Sequence, residues 1–142
     1  MKAHYRMEVT IAPPDAEVNR LKQHLRNYNT SQVGDSDRIS LLITLLDSKN
    51  EFSGGLFGKL SRQWLFVDTL WIAEQARRKG QGRELLQAAE EEACARGCGN
   101  AWVDTFSFQA LSFYERNGYV VFGELSDYPP GHKRYFLQKR LC

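Results

Sequence analysis

The sequence is poor in the features that most directly announce a compartment or a cofactor. It has three cysteines, Cys94, Cys98 and Cys142, an odd number with no second pair to complete a zinc site. Cys94 and Cys98 lie four apart on a predicted helix, and the expectation for them is small core-side thiols without metal or redox work. The three histidines, His4, His24 and His132, also lack ligand spacing, so no metal is implied. No apolar run approaches the roughly 18 residues that span a bilayer, so no membrane role is expected. The first ten residues mix Lys2, His4, Arg6 and Glu8 and hold no apolar signal region, which makes the cytoplasm the expected location. Net charge is only +2, too little for a dedicated nucleic-acid binder. Two phosphate motifs are missing as well. No Gly-Lys-Ser/Thr completes a P-loop, and the third small residue of the dinucleotide fingerprint would fall on Leu85.

What is present is an ordinary globular composition, 42% hydrophobic and 25% charged over 142 residues, read as one domain spanning 1–142. Loose alternation over His4 to Ile11 predicts a first strand. Val18, Leu21, Leu25 and Tyr28 predict an amphipathic helix over 15–28, followed by a polar loop from Asn29 to Arg38. Three strands of a meander follow, Ile39 to Leu46, Phe52 to Leu60 and Gln63 to Ile72. Gly54, Gly55 and Gly58 in the middle strand point to a bulge or a close backbone approach. A helix from Gly82 to Arg96 puts Leu85, Leu86, Ala89, Ala93 and Cys94 on one face. Then come a strand (Ala101 to Phe106), a short helix (Gln109 to Asn117), a strand (Tyr119 to Leu125), the stiff loop Asp127 to Gly131, and a last strand (Arg134 to Leu141). This order describes an α+β sandwich around one mixed sheet.

The strongest functional signal is the run Arg77-Arg78-Lys79-Gly80-Gln81-Gly82, on the seam between an apolar strand and a helix. A helix leaves its first N–H groups unpaired and carries partial positive charge at that end. A diphosphate satisfies both. Gly80 and Gly82 let the backbone come close or take positive φ, and three basic side chains add charge. The spacing alone is short enough to be a solvated basic turn, but its place at a strand-to-helix junction favours the phosphate reading.

Together with the segment Ala110-Leu-Ser-Phe113-Tyr114-Glu-Arg-Asn-Gly118-Tyr119, about 30 residues on, this turn resembles the GNAT family of N-acetyltransferases, and the element order matches over essentially the whole chain. The resemblance implies a mixed, mostly antiparallel sheet of six to seven strands flanked by three to four helices, with a splayed strand pair forming a coenzyme A cleft. It implies acetyl-CoA as acetyl donor, its diphosphate on Arg77 to Gly82 and its pantetheine along Leu70, Trp71 and Ile72. Tyr114 matches the family's general acid, whose alternative is a core aromatic beside Phe113. Ser107 falls where many relatives carry an asparagine contacting the CoA arm, although a helix N-cap suits it equally. The family often places a glutamate near the middle of the strand that here holds Leu65 and Phe66.

Asp68 is the carboxylate in that strand, sharing an alternating face with Phe66 and Leu70. A carboxylate desolvated there would hold a proton more tightly and serve as base, whereas the alternative is a structural Asp bonded to a neighbour. Thr105 and Asp104 are weaker candidates for the same cleft. His132 and Tyr128, on the loop that would overhang the acceptor, are candidate substrate contacts. The expected partner is a small-molecule or peptide amine, with a homodimer through sheet edges as a further implication of the resemblance. Two other classes compete. One is a non-catalytic acyl-CoA-binding module of the same fold, which the presence of Tyr114 argues against. The other is a nucleic-acid binder using Arg77 to Arg83, which has no interleaved aromatics.

Overall fold

The structure is a computed structural model, and it describes residues 4–142. The chain divides into two compact units, one ending at Ser36 and the other running from Asp37 to Cys142. In the first unit, helix α1 spans Asp15–Val33, entered through Pro14, with Asp15 and Glu17 at its positive end. It is a turn longer than its apolar spacing predicts, because it takes in the polar residues up to Val33 before Gly34 stops it at φ 85°. Apolar periodicity marks only the part of a helix that has an apolar side; good helix formers continue it without one. The expected strand over His4 to Ile11 is not formed, and these residues carry no regular structure. Alternation is only a pattern; a strand exists when a ladder partner takes its N–H and C=O groups.

The second unit is built on six strands, β1 (Ile39–Leu46), β2 (Phe52–Ser61), β3 (Trp64–Ile72), β4 (Asn100–Phe106), β5 (Val120–Ser126) and β6 (Lys133–Arg140). Two helices accompany them, α2 (Gln81–Ala95) and α3 (Leu111–Arg116), with a single 3-10 turn, Glu74–Ala76, before α2. The sheet order is β1-β2-β3-β4-β6-β5, antiparallel except between β3 and β4. The parallel pair follows from α2, which carries the chain back across the sheet between them.

The core lies on one face of the sheet. Leu56 and Leu60 from β2, Leu65 and Val67 from β3, Ala101 and Val103 from β4 and Leu137 from β6 pack against Leu85, Leu86, Ala89 and Ala93 of α2. The predicted helix face is thus correct at these four positions. Cys94, the fifth, is instead joined in a disulfide to Cys142, so the expectation of small core-side thiols at Cys94 and Cys98 holds only for buried Cys98. Burial, with Asp37 as a lesser influence, pushes the Cys98 thiol up.

The glycine-rich β2 holds the feature that shapes the site. Phe57 pairs with Thr69 and Gly58 pairs with Val67, so Asp68 is an extra, unpaired residue in β3. This β-bulge resets the alternation. Leu65 and Val67 face the core, and beyond the bulge Leu70 and Ile72 do so as well. The expectation that Asp68 shares a face with Leu70 is therefore wrong, because it assumed an unbroken period of two.

Candidate active site

Strands β3 and β4 pair through Trp64–Asn100, Leu65–Ala101, Phe66–Trp102 and Val67–Val103, and no further. Past Val67 and Val103 they separate. On one arm β3 continues to Ile72 paired only to β2; on the other β4 continues to Phe106 paired only to β6. The result is a fork whose inner edge on β3 has no strand beside it. A cleft of about 1280 Å³ fills the fork and continues to the start of α2. It brings together Asp68, Leu70, Trp71, Ile72, Arg77, Arg78, Gly80, Gln81 and Gly82 with Tyr114, all singled out in the sequence.

The α2 end of the cleft is open for an anion. Gly80 precedes the helix in the left-handed region at φ 79°, and its carbonyl accepts from Glu84 at 3.1 Å. Among the described residues, no backbone or side-chain acceptor takes the amides of Gln81, Gly82 and Arg83. Arg77 is partly committed: its Nε donates to the Ile72 carbonyl at 2.8 Å, tying the turn to the end of β3. Arg78 sits at φ 62°, a second left-handed residue in the turn. Lys79 is exposed on the same turn and is not among the residues lining the cleft. Gly82 is needed for space, not for φ. A Cβ there would meet the Phe113 ring at 3.2 Å and Ile72 at 3.3 Å.

Tyr114 is only 5% exposed, on α3, with its ring edge-on to Phe113 and Tyr119. Its ring belongs to the core, as one of its two readings had it, and its hydroxyl makes no hydrogen bond among the described residues. Burial first, and the Asp104 carboxylate second, push its hydroxyl up to about 12. It remains a proton donor throughout the physiological range. Behind it, the Tyr119 hydroxyl donates to Glu90 at 2.7 Å, and Lys139 reaches both Glu90 oxygens at 3.1 Å.

Two carboxylates stand at the branch point, one on each arm. Asp68 follows Val67, and Asp104 follows Val103. Asp68 is not desolvated: its side chain is 34% exposed, accepts from the Thr69 hydroxyl at 2.9 Å and lies 3.6 Å from Lys59. Asp104 is more enclosed, at 16% exposure; Arg134 donates from Nε to its Oδ1 at 3.0 Å, with Nη2 at 2.9 Å from the same oxygen in an ion pair. The Arg134 guanidinium is itself held among the rings of Phe106, Tyr128 and Phe136, at 5.4, 5.1 and 5.2 Å.

Ser107, Tyr128 and His132 lie outside the cleft lining. The Ser107 hydroxyl accepts from the Lys133 amide at 3.1 Å and lies 3.3 Å from His132 Nδ1, so it fastens the β5–β6 loop. It does not cap α3. That position is Ala110, whose amide donates to Thr105 Oγ1 at 3.2 Å. His132 meets the Phe108 ring edge-on at 5.0 Å, and Phe108, which lines the cleft, stacks on Phe106. Phe108 had no signal in the sequence, because nothing there marks which loop aromatic turns inward. Among the described residues no group of side chains is arranged to hold a metal ion.

The profile of the Acetyltransferase (GNAT) family matches residues 7–119. The chain belongs to this family, and it is an acyltransferase. It is 39% identical over 127 residues to the acetyltransferase Atu2258 of Agrobacterium fabrum, covering 89% of this chain and 93% of that one. It is 43% identical over 94 residues to the blasticidin-S acetyltransferase of Streptomyces morookaense, covering 66% of this chain and 69% of that one. An acetyltransferase of Bacillus cereus, solved as a crystal structure, superposes with a TM-score of 0.87 at 31% identity, over 94% of this chain and 98% of that chain.

Proposed function

We propose that the protein moves the acetyl group of acetyl-CoA to a primary amine by direct attack in a ternary complex. The observation that carries this is the fork itself, with three unpaired amides at its α2 end and, in its wall, the largely buried Tyr114, whose hydroxyl makes no hydrogen bond among the described residues. The residues fit the donor. The amides of Gln81, Gly82 and Arg83, with Arg77, Arg78 and Lys79, suit a diphosphate. The free inner edge of Leu70, Trp71 and Ile72 suits an amide-bearing arm that pairs as a strand would. Acetyl-CoA supplies an activated acyl group on sulfur.

The chain's own residues then do three things. Tyr114 donates its proton to the departing sulfur as the C–S bond breaks and the C–N bond forms. The carboxylates at the branch point orient the amine, whose surplus proton passes to them or to water. The face of the sheet opposite α2 admits the acceptor, so donor and acceptor meet from opposite sides.

Titration calorimetry with CoA, followed by thiol release from acetyl-CoA with a panel of primary amines, tests the reading. Binding plus amine-dependent thiol release is expected. Absence of both would overturn it.

A further inference from the structure

Resting on that reading, we propose that the acceptor is a primary amine with a second cationic group a short carbon chain away. Its reacting nitrogen is held by Oδ2 of Asp104 beside the Tyr114 hydroxyl, and its second charge by Asp68 on the other arm of the fork. Val67 and Val103 are the last paired residues, and each is followed by an aspartate. Residues in register on parallel strands point to the same face. The stacked rings of Phe66 and Trp102, 4.1 Å apart, show this one pair earlier, on the face opposite the core. Asp68 and Asp104 stand next along that face. The contact of Asp68 with Lys59 and of Asp104 with Arg134 places both there, since Lys59 pairs with Phe66 and Arg134 lies over Phe136.

The two carboxylates differ in what they have left to offer. The Arg134 hydrogen bond falls on Oδ1 of Asp104, and Oδ2 takes no hydrogen bond among the described residues, on a side chain that lines the cleft. Asp68 accepts from the Thr69 hydroxyl on Oδ1, and its Oδ2 has a long, solvent-exposed ion pair with Lys59, worth little to the fold and easily exchanged for a ligand cation. A third, independent group converges on the same space: Tyr114, nine-tenths buried, has an unpartnered hydroxyl in the cleft that both aspartates line. The exposed rings of Trp71 on β3 and Phe108 in the loop after β4 add faces that attract an organic cation. A monoamine would leave one carboxylate without a ligand.

The test compares butylamine with the terminal four-carbon diamine. Calorimetry on the protein with CoA bound is expected to show at least about tenfold tighter binding of the diamine, the size of one charge-assisted contact. Thiol release should show the same ratio in KM. Asp68→Asn should bring that ratio close to one. Asp104→Asn, which keeps an oxygen for Arg134, should lower kcat for both amines, and both variants should keep the affinity for CoA. Equal affinity of the two amines, or a preference that survives Asp68→Asn, would overturn the inference while leaving acetyl transfer intact. No CoA binding and no thiol release with any amine would instead bring down the reading beneath it.

Discussion

The hydroxyl of Tyr119 donates to Glu90 across 2.7 Å, joining the residue just before β5 to the middle of α2. Lys139 of β6 closes the triangle on the same carboxylate. The group sits directly behind Tyr114, whose ring meets that of Tyr119 at 5.8 Å. Glu90→Ala removes the acceptor shared by both donors. It should cost about 1–3 kcal/mol in urea denaturation, because a tyrosine hydroxyl and a largely enclosed ammonium lose their partner together. Tyr119→Phe, which removes only one donor, should cost less.

Tyr114→Phe isolates the proposed acid. The ring packing stays, and only the hydroxyl goes. CoA affinity should be unchanged by calorimetry, and turnover should fall on the order of a hundredfold. Unchanged turnover would remove Tyr114 from the mechanism.

The two buried tyrosines also fix a pH dependence. Burial raises Tyr114 to about 12 and, with Glu90, pushes Tyr119 up further, so both hold their protons more tightly folded than unfolded. Their contribution to stability is complete below the unfolded tyrosine value of about 10 and is lost as pH climbs through the folded values. Denaturation midpoints should therefore decline on the alkaline side above about pH 10, and Tyr114→Phe should reduce the decline. Spectrophotometric titration of the native protein should leave Tyr114 un-ionised until near pH 12 and Tyr119 un-ionised beyond that.

Gly80 and Gly82 separate two kinds of glycine requirement. A Cβ on Gly80 meets nothing within 4 Å, so Gly80→Ala should cost only the strain of φ 79°, about 1 kcal/mol. Gly82→Val drives side-chain atoms into Phe113 and Ile72, which lie within 3.3 Å of the first added carbon. It should cost about 1–3 kcal/mol by overpacking and weaken CoA at least about tenfold by moving the amides of α2.

The disulfide gives a chemical prediction. Non-reducing peptide mapping should find Cys94 linked to Cys142 and Cys98 as the free thiol. Reduction should lower stability by about 2–4 kcal/mol, as expected for a bridge closing a loop of this length.

Much of the sheet was legible because its strands announce themselves twice, by β-branched and aromatic runs and by the turns between them. Ile39–Leu46 was predicted to the residue, and α2 to within one. The glycine turn was legible for the same reason: a helix start needs donors satisfied, and Gly80 with three cations states how. Gly58 in β2 signalled a bulge, and one lies there, yet the residue it displaces is on β3. Nothing local to Asp68 says that its neighbour strand will skip it. The face of Asp68, and the exposure that follows, thus depended on pairing. The same holds for Cys94, four residues from Cys98 in the chain but bonded to a partner 48 residues away.

By itself, then, the order of residues determined most of the segments that become strands and helices, though not that His4 to Ile11 would stay without regular structure, and where a glycine turn opens a helix, because those properties arise largely from contacts within a few positions. Only the tertiary structure decided that β3 and β4 part after Val67 and Val103, that Asp68 and Asp104 line one opening, and that Arg134 hydrogen-bonds Oδ1 of Asp104. Those relations join residues some 30 or more positions apart, and they exist only once strand register and bulge have brought the separate pieces of chain together.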